Sequence, residues 1–208
     1  MRLHHLLILL ALSLTGCGSD FVRLNLEYQG DKIAKIASPE TSKAILYVDK
    51  FSDVRGGSDK HLIGEAKTGA FNKSTRILIN DDVEEFCMRS FALAFSKAGF
   101  AVVDDLNKAD IIFKGRINKF WLQEFATGYS PEHCEADIEY DLALIDNHNK
   151  EPRWFDVKRI HKRSQVTMID ATDFALPTMN EALNDSIKSV LSDPAFSSVL
   201  TNNAGKGN

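Results

Sequence analysis

The side chains that could do covalent or acid–base chemistry are few and scattered. The 208-residue chain holds three cysteines and six histidines, and it contains no G-x-S-x-G nucleophile motif. Beyond the N-terminal apolar stretch these reduce to Cys87 and Cys134, with His61, His133, His148 and His161. Nucleophilic catalysis needs a nucleophile, a base and an orienting group that can meet. His133 and Cys134 are adjacent, but successive side chains of a strand point to opposite faces, so they cannot act together. Cys87 falls on the apolar stripe of a helical pattern and reads as a small core hydrophobe. His133, Glu135, Asp137 and Glu139 would share one strand face, and oxygen-rich rows can hold calcium. A straight row on a flat sheet does not wrap an ion, however, and flanking rows containing Lys114, Arg116, Lys158 and Arg159 can neutralise it. It therefore reads as a salt ladder, with no metal. Arg55-Gly56-Gly57 lacks the lysine of a P-loop and opens no helix, so it reads as a turn, with Asp53 and Arg55 as a turn-closing ion pair. Trp121, Phe125 and Tyr129 lie where alternation breaks down. They read either as a platform for a sugar or partner or as core beside a β-bulge. The expectation is a protein without catalysis, metal or cofactor.

Cys17 stands in a different setting. A short basic start, Met1 to His5, precedes an apolar run from Leu6 to Leu14 broken only by Ser13, and small residues lead up to the cysteine. That is the layout of a secretory signal, too short and wrongly flanked for a membrane-spanning helix. Leu14-Thr15-Gly16-Cys17 resembles the lipobox of bacterial lipoproteins. The resemblance implies cleavage between Gly16 and Cys17, and a Cys17 carrying a thioether-linked diacylglycerol and an N-acyl chain. At ~0.8 kcal/mol per buried methylene one chain binds marginally, whereas several make attachment to a membrane stable. In such lipoproteins an Asp directly after the cysteine favours the inner membrane. Gly18 stands there, which implies the outer membrane, lipid-anchored and facing the periplasm.

Removal of residues 1–16 leaves enough chain for one well-cored domain. The formal net charge of the whole chain is -4, and loss of Arg2 makes it one unit more negative. A mildly acidic body argues against nucleic acid as a partner, because phosphate neutralisation needs a basic face. The reading divides the chain into a signal peptide (1–16), lipidated Cys17 and a tether (17–42), a single α+β periplasmic domain (43–200), and a frayed tail (201–208).

Within the tether, Val22, Leu24 and Leu26 alternate briefly and suggest at most an edge strand. The continuous apolar run Ala44–Val48 predicts a buried central strand. Leu62–Thr68 and Thr75–Ile79 read as a hairpin. A helix is expected from Asp82 to Ala98, with Asp82 and Glu85 as a capping start and Gly99 closing it in the left-handed conformation. Phe100–Val103 then gives a strand. Alternation over 111–118, 134–144 and 153–165 predicts a meander covered on one side. The last helix is placed from Pro177, a good first-turn residue. The fold class is α+β, a mostly antiparallel sheet with two main helices packed on one face and one strand–helix–strand unit. Cys87 and Cys134 both face the core. Layers ~10 Å apart against a disulfide reach of ~7 Å between α-carbons favour free buried thiols.

The lipobox, the Asp53-Val54-Arg55 turn, the hairpin ending Arg76-Ile77-Leu78-Ile79, and the helix closing in Lys97-Ala98-Gly99-Phe100 form one ordered set. The Ala109-Asp110-Ile111 strand start, the meander and the Ala182-to-Ile187 helix complete it. The set resembles the YajG-type lipoproteins of the outer membrane, which implies an α+β domain, a non-enzymatic role and no active site to carry over. The expected function is a binding or assembly module that docks an envelope protein or polymer. A subunit of a homo-oligomeric ring or an accessory of an envelope export complex is the alternative, and a hydrolase of envelope polymers a distant third. Trp121 and Tyr129 are the candidate partner surface, with Arg55 a weaker candidate, because Trp and Tyr bury large area at low entropy cost.

Overall fold

A computed structural model describes residues 21–28, 30, 44–68, 73–126, 132–166 and 172–202. Cys17, the signal segment, Tyr129 and the tail beyond Asn202 lie outside them. Nine strands among the described residues form one sheet: β1 (Phe21–Leu24), β2 (Ile45–Val48), β3 (Ser52–Asp53), β4 (Leu62–Thr68), β5 (Lys73–Ile79), β6 (Ala101–Val103), β7 (Ile111–Ala126), β8 (Glu132–Asp146) and β9 (Pro152–Val166). Three helices accompany them: α1 (Val83–Ala98), α2 (Thr172–Leu191) and α3 (Pro194–Asn202). None of these helices is long and apolar enough to cross a membrane.

The sheet is organised around β7. Along one edge run β2, β3 and β4 in succession, each parallel to it, with Leu46 beside Ile111, Ser52 beside Arg116 and Gly64 beside Leu122. Along the other edge β8 runs antiparallel, from Ile111 opposite Asp146 to Phe125 opposite His133. β9 is antiparallel to β8, β5 to β4, while β1 lies parallel to β5 and β6 parallel to β2. The expected hairpin and meander are therefore present, but the sheet is mixed and not mostly antiparallel. The parallel half arises because residues 45–68 travel beside β7 in its own direction, a long-range pairing that local periodicity does not encode. The join is latched by Asp110, whose carboxylate accepts from the Ile45 amide at 2.8 Å while its own amide donates to the Ile45 carbonyl at 2.8 Å.

Residues 21–24, expected within the tether, extend the sheet as β1, and Leu24 and Leu26 are buried. Helix α1 connects β5 to β6, the strands that lie outside β4 and β2 on the same side of β7. Gly99 ends it at φ 97°, in the left-handed region expected of a C-cap. Asp82 occupies the N-cap position but makes no side-chain capping bond. Helix α2 starts at Thr172 and not at Pro177, which sits exposed inside it. The earlier start buries Ala175 against the core, offsetting the one intrahelical bond that proline cannot make. Asp193 caps α3 by accepting from the Ala195 amide at 2.8 Å, with Pro194 in the first turn.

The helices cover one face, and the core between them and the sheet is unusually aromatic. Phe113 of β7 lies 4.9 Å from Phe95 and 5.2 Å from Phe91, both on α1. Phe196 of α3 stacks on Phe95 at 5.3 Å and meets Trp154 of β9 at 5.2 Å. Phe51, between β2 and β3, drops into the space above Gly115, where an added β-carbon would come within 2.2 Å of its ring. A β-bulge between Ile117 and Lys119 shifts the alternation of β7, so that Phe120, Leu122 and Glu124 point inward after it. Gly115→Ala is expected to lower stability by about 1–3 kcal/mol through overpacking against Phe51, read as a lower urea midpoint at unchanged slope. An unchanged midpoint would mean that the ring moves aside without cost.

Candidate partner surface on the open face of the sheet

The face of β7–β9 turned away from the helices carries the charged residues. Period-2 geometry places Glu135, Asp137, Glu139 and Asp141 of β8 in one outward row, and most of their partners are cations on the neighbouring strands. Arg163 reaches Glu135 at 3.4 Å, Arg159 reaches Glu139 at 3.2 Å, and both Lys119 and His161 contact Asp137 at 2.7 Å. Arg116 pairs with Asp141, which also accepts from Asn118 at 2.8 Å. Burial alone would raise the Asp137 carboxyl, but hydrogen bonds from Lys119 and His161 bring it below its ordinary value. The acidic row is thus a salt ladder, and among the described residues no group of three His, Cys, Asp or Glu is placed to hold a metal. Two expected members stand elsewhere. Lys158 faces the helix side, opposite Tyr140, and pairs with Asp156. Lys114 pairs across to Asp49 at 3.6 Å.

Trp121 lies on this outer face, half-buried, opposite Asp137, with its indole N–H 3.5 Å from the Gln123 side-chain oxygen. Four residues along, Phe125 stacks on His133 at 4.5 Å, and the Lys67 ammonium sits 5.7 Å from the centre of the Phe125 ring. The bulge that disturbs the alternation comes before Trp121, and from Trp121 to Phe125 the strand is regular. The aromatic strip therefore belongs to the open face and not to the core. At the other end of the face is a cavity of about 500 Å³ lined by Lys50, Lys114, Arg116, Asp141, Ala143 and Phe155. Sequence patterning did not reveal it, because it forms where the β2–β3 connection lies beside β7.

Arg55 is not part of an exposed surface. Its guanidinium grips Asp53 through Nε at 2.8 Å and Nη2 at 2.7 Å, and Nη1 donates to the carbonyls of Leu62 at 2.8 Å and Phe120 at 3.1 Å. It seals the base of the turn containing Gly56 and Gly57, whose φ values of 86° and 93° favour glycine. The pair's side chains are only 11% and 12% exposed, so it is the turn-closing ion pair in a partly desolvated form. Behind it, Glu84 in the first turn of α1 accepts from the Asp53 amide at 3.2 Å and pairs with Lys60 at 3.0 Å and Lys50 at 3.2 Å. Burial pushes the carboxyls of Asp53 and Glu84 upward, yet the hydrogen bonds from these partners hold both below their usual values.

The thiols are buried and free. Cys87 Sγ lies 3.3 Å from the Tyr140 hydroxyl. Cys134 stands six residues from Tyr140 on the same strand, about 20 Å away at ~3.4 Å per residue, which keeps the two sulfurs apart along the strand. Burial pushes both thiols up to about 12. Glu124 had no counterpart in the sequence reading. The bulge turns it inward beside Cys134, and burial, reinforced by the Glu132 charge, raises its carboxyl to about 7. The inward alternation Phe120, Leu122, Glu124 was the available signal.

No family model matches the chain, and no curated protein sequence matches it. Among solved structures the likeness is one of fold and shape at low identity. A Xanthomonas campestris protein of family DUF330 aligns over 86% of this chain and 97% of its own, at 12% identity and a TM-score of 0.56. Lipoprotein GNA1162 from Neisseria meningitidis aligns over 70% and 99%, at 11% identity and 0.34. The PelC dodecamer subunit from Paraburkholderia phytofirmans aligns over 68% and 86%, at 11% and 0.35. The first is a likeness of fold, and the other two are partial likenesses of shape.

Glu124 makes stability depend on pH with a defined sign. Its folded-state value lies above the unfolded one, so between about pH 4.5 and 7 the folded chain holds a proton that the unfolded chain has released. Stability is therefore greatest below this window and falls as pH rises through it, by on the order of 3 kcal/mol at 1.36 kcal/mol per pKa unit. Glu124→Gln is expected to flatten the denaturant-derived stability between pH 5 and 8 relative to the parent, and to be the more stable protein at pH 8. Parallel curves would show that Glu124 is ionised at no cost.

Proposed function

We propose that the protein is a lipid-anchored periplasmic module of the outer membrane that binds or assembles with an envelope protein or polymer and does no catalysis. The observation that carries the reading is Leu14-Thr15-Gly16-Cys17 at the end of an apolar leader, the one stretch of the chain with a specific chemical fate. The structure of the domain is compatible with it. The groups that would have to cooperate in catalysis are dispersed: Cys87 and Cys134 are buried with raised thiols, His133 stacks on Phe125, and His161 belongs to the salt ladder. The side chains left for recognition are Trp121 and its neighbours on the open face, with Tyr129 following in the sequence. The YajG-type resemblance and the homo-oligomeric alternative belong to the same reading.

Cys17→Ala is expected to abolish incorporation of labelled palmitate and to release the protein from the membrane fraction. A variant that stays firmly membrane-bound through carbonate washing would remove the anchor from the proposal. The partner surface is tested separately: Trp121→Ala and Tyr129→Ala should lower cross-linking to the partner in intact cells while thermal stability stays nearly unchanged. A loss of several kcal/mol of folding stability from either substitution would instead assign that residue to the core.

A further inference from the structure

Strand β9 is a long edge. It pairs with β8 along its length, and no other described strand pairs with it. From Trp154 to Val166 its register against β8 is unbroken, so the far edge presents about 40 Å of regular backbone at ~3.4 Å per residue, with the Val157 amide donating to the neighbouring Asp156 carboxylate at 2.7 Å, a local bond that a second strand has to displace. Such an edge is a template for another strand unless bulges, prolines or unpaired charges protect it. Pro152 stands only at its first position. Its cations are abundant but already occupied: Arg153 by Asp146 at 2.6 Å, Arg159 by Glu139 at 3.2 Å, Arg163 by Glu135 at 3.4 Å, His161 by Asp137 at 2.7 Å and Lys162 by Asp185. The charge that would repel a second strand is thus neutralised from within the subunit. Beside this edge are two of the exposed hydrophobic side chains, Phe155 at 64% and Val157 at 36% exposure.

The pattern of residues along β9 is self-complementary in one register. A second copy running antiparallel, with the helices of both copies on the same side, can be centred on Val157. Asp156 then faces Lys158 of the partner subunit, and the reverse pair forms across the two-fold axis. Phe155 faces Arg159 of the partner subunit, an aromatic–cation pair, and Trp154 faces Ile160 of the partner subunit. Centring one residue away in either direction sets Asp156 or Lys158 against itself, and centring on Arg159 sets two guanidiniums opposite each other. Asp156 and Lys158 already pair within one chain, so each copy holds the ion pair that the other duplicates. We infer that β9 is an isologous interface through which two copies join their sheets edge to edge, in the register that places Val157 opposite itself. This inference does not depend on the acyl anchor.

The register makes the test specific. Paired α-carbons in an antiparallel ladder lie about 4.5–5.5 Å apart, within the range of a disulfide. In the full-length chain carrying Cys17→Ala, Val157→Cys is expected to give a reducible species of twice the 23.2 kDa subunit mass under mild oxidation, because the remaining Cys87 and Cys134 are buried. Phe155→Cys and Arg159→Cys each lie four residues, about 14 Å, from their own copies across the axis, so singly they should link at least tenfold less. Co-expressed, they should link to each other. The same pattern is expected in the processed chain that keeps Cys17, and agreement between the two separates failure of this interface from failure of the anchor. A Val157→Cys chain that stays single under oxidation, while its thiol reacts with maleimide in the folded protein, would overturn the inference. So would self-linking of Phe155→Cys equal to that of Val157→Cys, or a cross-link whose mass shows a different protein.

Discussion

Strand β7 has to satisfy backbone donors and acceptors along both edges over 16 residues, and no buried peptide group can be left without a partner. That requirement shapes the sheet. One edge is met by a single long strand, β8, and the other by three short ones from a stretch of chain that comes close, leaves and returns. Where the chain leaves β7, between β3 and β4, a gap opens in the ladder at Phe120. Arg55 fills it with Nη1, which donates to the Phe120 carbonyl as well as to Leu62. The guanidinium therefore substitutes for a missing strand, and Asp53 supplies the countercharge that lets it do so in a partly desolvated place.

The sheet then separates two kinds of interaction. On the helix side, rings from three strands and two helices meet edge to face, tilted or, for Phe95 and Phe196, stacked, and the missing β-carbons at Gly115 and Gly64 admit the Phe51 ring and the Leu122 carbonyl. On the other side, cation–carboxylate pairs cross between strands at contact distance but in water, where each contributes ~0.2–1 kcal/mol. The first kind holds the fold together, and the second holds the register. Glu124 is a carboxyl on the helix side without a cation beside it among the ion pairs described above, placed there by one extra residue in β7.

How much of this could be read from the sequence depended on range. The meander was legible because Cys134, Ala136, Ile138, Tyr140, Leu142 and Leu144 repeat every second residue, and one face of that repeat is buried in full. Helix α1 was legible at its end because Gly99 is the residue that can turn left-handed, and less so at its start. There Asp82 resembles a cap but leaves its side chain uncommitted to the helix, while Glu84 binds the turn below. The parallel pairing of residues 45–68 with β7 was not legible, since a buried strand of apolar residues looks alike whichever way its neighbour runs. Arg55 was misplaced because a Gly-Gly turn is exposed, and nothing local says that the arginine before it folds back under the turn. As for the candidate surface, Trp121 was identified from its residue type and from the break in alternation around it, and its placement on the open face follows from a bulge that lies just upstream, between Ile117 and Lys119.

The pairing of β2 with β7 also sets an order in time. The Ile45 amide finds the Asp110 carboxylate 65 residues further along the chain, whereas the β4–β5 and β8–β9 ladders join strands that are close neighbours in sequence. Loop-closure entropy makes the distant contacts late and the near ones early, so topologies of this kind collapse slowly. The first strands to leave a ribosome or a translocation channel cannot complete their ladders until β7 has followed. Such a delay keeps the leading half of the chain extended and threadable for longer than the hairpins that follow it.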